Sequence, residues 1–188
     1  LPGAFVEPDD QYVKVKATRR ARVRLFAAGS GTNLGLALFS IFLAFVLVVH
    51  VPQGVLITGI VPGGAAEGVL TPWSVITGMN ETTIATAEDL SAFMETTHPG
   101  DFVQFTANGA KVNLTLGANP QNASRGYIGI YLITNYPLVA PLNLLGPAFG
   151  IEFQRELAWF YLIAIGIGVM NLLPTPPFDG DKLFKELI

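Results

Sequence analysis

A run of residues without charge, from Ala27 to Val49, is the feature that most limits how this chain can fold. It is long enough to cross a hydrocarbon core of about 30 Å as one helix. A second uncharged run extends from Leu157 to Phe178. Hydrophobic residues make up 51% of the sequence and charged residues 13%, about half of the charged share that is usual in soluble domains. These features predict a membrane protein with at least two transmembrane helices.

Basic residues cluster directly before the first uncharged run. Six of the eleven lysines and arginines lie between Lys14 and Arg24. The positive-inside rule places such a cluster on the cytoplasmic side of the membrane. We therefore expect a cytoplasmic basic loop at residues 14–24 and an extracytoplasmic segment at residues 51–129. The second helix then returns to the cytoplasmic face.

The segment between the two runs has the signals of a small α+β domain. Asn108-Gly109 lies between two alternating runs and predicts a tight hairpin, because both turn positions favour positive φ. Thr86 is a good N-cap for a helix with an acidic first turn. The residues after Gln53 predict a strand, and those after Pro62 a turn followed by a very short helix.

The stretch from Asn171 to Gly180 reads Asn-Leu-Leu-Pro-Thr-Pro-Pro-Phe-Asp-Gly. Its prolines and Gly180 end the helix and leave the carboxylate of Asp179 at the end of an uncharged segment. An ionisable group is costly at membrane depth, so Asp179 is a candidate functional residue. The alternative is a helix C-terminus followed by a solvated Asp-Gly turn.

This stretch resembles the N-x-x-P-x-x-x-x-D-G motif of the site-2 protease family, zinc metalloproteases that cut within membranes. Two other stretches are similar to archaeal-type members, in the same order along the chain. Pro2–Glu7 is similar to a segment that follows the family's His-Glu-x-x-His helix, and Ala28–Asn33 resembles the start of its next transmembrane helix. Gly29 and Gly31 could instead only allow close helix packing.

The resemblance implies that Asp179 is the third zinc ligand and that Asn171 helps to position substrate. An alternative role for Asn171 is to satisfy carbonyl groups that Pro174 leaves free. A catalytic zinc takes three protein ligands and an open fourth position, and a glutamate acts as general base. His-Glu-x-x-His is absent here, and His50 and His98 are expected to be interfacial and loop residues.

The absence of cysteine excludes thiolate ligands and disulfides. With one of three expected ligands, the chain is expected to be a fragment whose zinc-binding helix and general base lie upstream. It should then have no catalytic residue of its own and be inactive alone.

The order of elements in the middle segment, and its phrase V-P-G-G-A-A-E-G-V-L, are similar to a circularly permuted PDZ domain. One departure is Pro72-Trp73-Ser74, which stands where these domains carry Gly-Asp. PDZ domains bind peptides by adding a strand to a sheet. The resemblance implies a groove between strand Val55–Ile60 and helix Ala87–Glu95, with groove residues Gly54, Val55, Leu56 and Ile57. Alternatively, the insert only shields the active site.

The expected fold class is a membrane α-helical protein with an inserted α+β PDZ-like domain. Its expected parts are a cytoplasmic, membrane-associated segment at 1–26, a transmembrane helix at 27–50, the PDZ-like domain at 51–129, an apolar segment at 130–156, and a transmembrane helix with the start of the next helix at 157–188. We expect residues 130–156 to be re-entrant or interfacial, although a simple hydrophobic linker is the alternative.

The expected function is part of an intramembrane zinc metalloprotease that hydrolyses transmembrane substrates in regulated intramembrane proteolysis. The PDZ-like domain would bind or filter those substrates, and Zn²⁺ would be the cofactor. The expected partners are the membrane and transmembrane proteins, with no nucleic acid. Two alternatives are a catalytically inactive membrane scaffold that binds peptides and a transporter with a broken helix.

Overall fold

The computed structural model describes residues 15–188. The Pro2–Glu7 stretch and Lys14 lie outside the described residues. The chain divides into two compact units. A helical unit contains the described residues up to Ala44 together with Arg155–Ile188, and a sheet unit contains Phe45–Gln154.

The α-helices are named in chain order: α1 (Arg19–Leu47), α2 (Ala87–Glu95), α3 (Gly146–Asn171) and α4 (Asp179–Leu187). Two helical stretches, Arg19–Leu47 and Leu142–Asn171, are long and apolar enough to cross a membrane by length and composition. Only 17% and 11% of their most apolar windows are buried. Their apolar character therefore does not come from packing in the interior of the described structure.

Helix α1 turns a narrow face of small and aromatic side chains inward. Phe26, Ser30, Ala37 and Ser40 are its buried residues, at helical spacings of three, four and seven. In the same helical unit, a Cβ placed on Gly168 of α3 would lie 3.1 Å from Cγ of Leu34. The glycine therefore allows α1 and α3 to approach closely at this point.

Helix α3 begins earlier than the uncharged run predicts. It starts at Gly146, after a short 3₁₀ helix at Leu142–Leu145, and it ends at Asn171. Pro147 suits this start, because the first turn of a helix needs no donor from its own backbone. Residues 146–156, expected to be part of a re-entrant or interfacial segment, instead belong to the same helix as the second uncharged run.

The sheet unit has strands β1 (Val55–Ile60), β2 (Val75–Met79), β3 (Thr82–Thr83), β4 (Phe102–Ala107), β5 (Ala110–Thr115), β6 (Gly117–Asn119), β7 (Asn122–Tyr127) and β8 (Ile130–Thr134). The main sheet has the order β5-β4-β2-β1-β8, with β3 beside β2, and β6 pairs with β7. All pairings are antiparallel. Because β8 is paired with β1, the sheet extends past the expected boundary at Gly129.

The core of the sheet unit lies between the main sheet and α2. In β1, β4 and β5, alternate residues point into it, as a pleated strand requires. Leu90 of α2 is buried there, and Phe93 and Met94 pack against the same cluster, as their spacing predicts. The strand residues of the core include Val55, Ile57, Ile76, Met79, Val103, Phe105 and Leu114.

The hairpin and the helix cap are confirmed. Asn108 and Gly109 have φ of 49° and 78° and join β4 to β5. The Thr86 hydroxyl accepts a hydrogen bond from the Asp89 amide, and the Asp89 carboxylate accepts one from the Thr86 amide. This reciprocal capping box fixes where α2 begins.

Two local predictions differ from the structure. The segment after Pro62 forms a series of turns rather than a short helix. Gly63 and Gly68 there have φ of 73° and 75°, outside the helical region. Trp73 adopts a φ of 67°, so a tryptophan occupies a left-handed conformation that glycine adopts at lower cost. The departure at Pro72–Ser74 thus coincides with an unusual turn.

Candidate functional site

The break between α3 and α4 is where the sequence predicts it. Helix α3 ends at Asn171, residues 172–178 form bends and turns, and α4 starts at Asp179. Proline lacks an amide donor and clashes with the preceding helical turn, so Pro174 cannot continue α3. Within the break, the Thr175 amide donates to the Leu173 carbonyl and the Phe178 amide to the Thr175 carbonyl. The backbone there is compact and internally bonded.

Gly180 has a steric role that the sequence did not reveal. It is buried, and a Cβ placed on it would collide with the carbonyl groups of Leu172 and Leu173. Because those atoms are backbone, they cannot move aside as a flexible side chain can. Any other residue at 180 would therefore push the start of α4 away from the end of α3.

Asp179 occupies the first position of α4, and its side chain is half-buried. A Cβ placed on Gly29 would lie 3.8 Å from Oδ2 of Asp179, so the carboxylate faces the glycine on α1. Within residues 15–188, no donor or basic side chain pairs with this carboxylate. Gly31 and Gly35 have no described neighbour within 4 Å of the position of a Cβ, so close packing does not explain them there.

The other sequence-predicted polar residues are not gathered into a metal site. Among residues 15–188, no group of three or more His, Cys, Asp or Glu side chains could hold a metal ion. His50 is exposed and its ring lies 5.0 Å from that of Phe45. His98 is an exposed loop residue whose amide donates to Asp101. Asn171 is half-buried at the end of α3.

Asp179 fits a metal ion as one ligand of a larger set. A carboxylate oxygen is an ordinary zinc ligand. A half-buried carboxylate with no basic partner has oxygen lone pairs that a cation can bind. The described residues supply this single metal ligand, and so they fit zinc only together with ligands from elsewhere.

Strand β1, where the sequence predicts the peptide groove, is not an edge strand of the main sheet. Val55 and Leu56 are paired on one side with β2 and on the other side with β8, and Ile57 is also paired with β8. A peptide can add a strand only at an edge whose backbone groups are free. Gly54 has a φ of 94°, and its amide donates to the Ala85 carbonyl. The segment Gly54–Ile57 is therefore interior to the sheet.

Strand β8 is the edge strand on that side of the main sheet. It lies beside α2, since the Ala87 amide at the start of α2 donates to the Thr134 hydroxyl at the end of β8. Ile130, Leu132 and Ile133 are half-buried. The sequence signal for this edge was weak, because Gly129 separates β8 from β7 and the pairing partner β1 lies far away in the chain.

A small cavity of about 130 Å³ adjoins the far end of β8. It lies within the sheet unit, between that strand, the loop after it and the start of α3. The Gln154 amide nitrogen donates to the Tyr136 carbonyl and anchors this loop to the helix. The walls are mainly apolar, and include Leu56, Ile133, Leu138, Pro147 and Ile151.

A family model described as Peptidase family M50 matches residues 1–188. The chain belongs to peptidase family M50. This confirms the resemblance to the site-2 proteases that the Asn171–Gly180 stretch indicated. Membership of the M50 family implies a metallopeptidase. A comparison with curated proteins found no match.

Two of the solved structures that are similar to this M50 chain are PDZ domains. One is the PDZ domain of an SdrC-like protein from Listeria monocytogenes, 19% identical, covering 43% of this chain and 87% of that one, with a TM-score of 0.39. The corresponding domain from Listeria innocua is 20% identical, covers 42% and 92%, and has a TM-score of 0.37. A solution structure from Geobacillus thermodenitrificans is 22% identical, covers 39% and 90%, and has a TM-score of 0.35.

Proposed function

We propose that this chain forms part of an intramembrane zinc metalloprotease in which Asp179 is one of the zinc ligands. The observation that carries the proposal is the setting of the Asp179 carboxylate. It is half-buried, it has no partner within residues 15–188, and it starts a helix directly after a proline-rich break. An ionisable side chain is costly in such a setting, and residues of this kind mark functional sites.

The remaining zinc ligands come, in this proposal, from a His-Glu-x-x-His helix outside the present sequence. Such a helix supplies two histidines and a glutamate base from one face. When bound, zinc lowers the pKa of a water molecule and polarises the scissile carbonyl. Asp179 would be one of the residues that hold the ion, and its negative charge would offset part of the charge of the metal.

Asn171 binds the substrate backbone in this proposal. Its side chain is half-buried at the last residue of α3, next to the break. An amide side chain offers both a donor and an acceptor, which suits the peptide groups of an extended chain. Substrate must be extended at the point of cleavage, because a peptide bond within a helix is shielded by its neighbours.

The sheet unit receives substrate along β8 rather than along β1. The free edge of β8 and the adjacent helix α2 support this assignment. A bound peptide would pair with the backbone of β8, and apolar side chains would lie toward Leu132 and α2. The sheet unit then selects which transmembrane proteins reach the metal site.

The membrane arrangement follows the basic residues. The proposal places residues 14–24 in the cytoplasm and residues 51–129 outside it, with α1 and α3 crossing the membrane. The two apolar helical stretches support this arrangement. Asp179 then lies near the cytoplasmic face.

The proposal is tested by Asp179→Asn in the protein that also carries the His-Glu-x-x-His helix. Asparagine keeps the size and one acceptor oxygen but lacks the negative charge. We expect cleavage of a transmembrane substrate to be abolished and zinc retention during dialysis to fall. Asp181→Asn is the matched control, because Asp181 lies on the same helix and already has a basic partner, the exposed Lys185 one turn later, at 2.5 Å. A helical pair four residues apart contributes about 0.3–0.5 kcal/mol.

Full cleavage by the Asp179 variant with stoichiometric zinc would refute the ligand assignment. Lost cleavage with zinc fully retained would place Asp179 beside a ligand rather than on the metal.

A further inference from the structure

Arg22 near the start of α1 is joined to Glu186 near the end of α4 by two parallel hydrogen bonds. Nε of Arg22 donates to Oε1 of Glu186 at 2.8 Å, and Nη2 donates to Oε2 at 2.8 Å. Both side chains are largely shielded, with 21% and 19% exposed. The remaining Arg22 nitrogen, Nη1, donates to the Ala17 carbonyl at 2.8 Å. A bidentate pair of this kind fixes direction as well as distance.

Two further contacts continue along the same faces. Nζ of Lys182 lies 5.6 Å from the centre of the buried Phe26 ring. One turn further, Asp179 faces Gly29. Positions 22, 26 and 29 share one face of α1, since residues three and four apart are neighbours on a helix.

Positions 186, 182 and 179 share one face of α4 in the same way, in descending order. The two helix faces therefore run antiparallel in a defined register. The Arg22–Glu186 pair lies at one end of this row of contacts and the Asp179 carboxylate lies at the other.

Helix α4 needs this support because α3 cannot supply it. The seven residues between them, 172–178, are not helical. The orientation of α3 about its axis therefore does not fix the orientation of α4. The close approach of Gly180 to the backbone of Leu172 and Leu173 holds the start of α4, but a single point of contact leaves the helix free to rotate about it.

We propose that Arg22 and Glu186 are positioning residues that set the register of α4 against α1 and thereby hold the Asp179 carboxylate in place for metal binding. This inference deepens the proposed function and rests on Asp179 as a zinc ligand. A slip of one residue along α4 moves the helix by about 1.5 Å and turns it by about 100°, which takes the carboxylate off the Gly29 face. Neither Arg22 nor Glu186 touches the metal.

The first arm of the test uses the complete protein and measures both cleavage and metal binding. We expect Arg22→Gln and Glu186→Gln each to lower kcat/KM and zinc affinity by about 10-fold, as removal of a residue that orients a ligand does. The kcat/KM and zinc affinity of Arg22→Lys should lie between those of the glutamine variants and wild type. Lysine keeps the positive charge but not the planar guanidinium group. The exchange Arg22→Glu with Glu186→Arg should recover part of the loss, because it restores the ion pair but not the hydrogen bond to the Ala17 carbonyl.

Arg24→Gln is the matched control for lost positive charge. Its side chain is exposed on the same helix and lies two residues from Arg22. It should leave both kcat/KM and zinc affinity unchanged. Thermal unfolding of each variant in detergent separates a local loss from a failure to fold.

The second arm reads the register directly and does not depend on zinc. Because the described chain has no cysteine, Phe26→Cys with Lys182→Cys gives a unique pair for a short thiol crosslinker within it. Crosslinking should be efficient with Arg22 and Glu186 present and should fall when either is changed to glutamine. Arg24→Gln should not change it.

The two arms separate the two proposals. If Asp179→Asn keeps full zinc and activity, the ligand assignment fails, and the crosslinks still show whether the pair sets the register. If Arg22→Gln and Glu186→Gln leave crosslinking unchanged, or if the exchange restores neither crosslinking nor zinc affinity, the positioning role is overturned.

Discussion

Alanine in place of Gly129 should destabilise the sheet unit more than alanine in place of Gly100. Both glycines have positive φ, 81° and 91°. A side chain in a left-handed conformation costs about 1–2 kcal/mol at either position. The two sites differ in the space around them. A Cβ on Gly129 would lie 2.7 Å from the Cα of Gly64, whereas no described atom lies within 4 Å of a Cβ on Gly100.

The contact with Gly64 adds a second cost at Gly129 alone. The Gly64 atoms are backbone, so relief requires the turn after β1 to move away from the residue that precedes β8. Overpacking of this kind costs about 1–3 kcal/mol. The total is about 2–5 kcal/mol for Gly129→Ala and about 1–2 kcal/mol for Gly100→Ala.

The assay is thermal unfolding of residues 51–136 expressed alone, a segment that contains the complete main sheet and its core. We expect it to fold cooperatively. Because 1 kcal/mol shifts the midpoint of a domain of this size by about 4–8 °C, Gly129→Ala should melt at least about 4 °C below Gly100→Ala. Equal midpoints, or a lower midpoint for Gly100→Ala, would refute the close approach of Gly64 and Gly129.

Three further predictions concern pH, the peptide edge and the membrane. Hydrogen bonds from the Thr86 and Ala85 amides lower the pKa of Asp89, so its stabilising contribution is complete above the unfolded pKa of about 3.9 and is lost as pH falls through the folded value. The melting temperature of Asp89→Asn should therefore fall less than that of wild type as the pH is lowered. An equal fall in the two proteins would contradict this. Titration of residues 51–136 with apolar C-terminal peptides should shift amide signals in β8 and α2, and shifts confined to Gly54–Ile57 would restore the groove on β1. Cysteines at Gln121 and Arg22 should label from opposite membrane faces, and labelling from one face would exclude the proposed arrangement.

Local features of the sheet unit were predictable because each depends on a few adjacent residues. Asn108-Gly109 specifies its turn through backbone conformation, and Thr86 with Asp89 specifies a helix start through hydrogen bonds three residues apart. Neither signal needs information from the rest of the chain. The structure confirms both.

The edge of the sheet was not predictable in the same way. Val55–Ile60 is a good strand sequence, but whether a strand is central or at the edge depends on which other strands pair with it. Its partner β8 lies about seventy residues later and follows a weak turn signal. The predicted groove therefore falls on β1, an interior strand, whereas the edge strand beside α2 is β8.

The break at Pro174 was predictable from proline chemistry, but the contacts around it were not. Gly180 lies against the carbonyls of Leu172 and Leu173 only because the chain folds back on itself there. The contacts that α1 makes with α4 join residues more than 140 positions apart, and no local pattern encodes them.

A candidate ligand placed after a helix break depends on its neighbours in a way that a ligand within a helix does not. Two histidines on one helical turn are held at a fixed spacing by the helix itself. Asp179 has no such support from α3, because the chain between them is not helical. Its position is instead set by packing of α4 against α1. The contacts include the shielded Arg22–Glu186 ion pair, the Lys182–Phe26 ring contact, and hydrogen bonds from Arg19 to the carbonyls of Glu186 and Leu187. Metal binding and the packing of α4 are then thermodynamically coupled. A bound metal should stabilise the helical unit, and loosening of α4 should weaken metal binding by the same free energy.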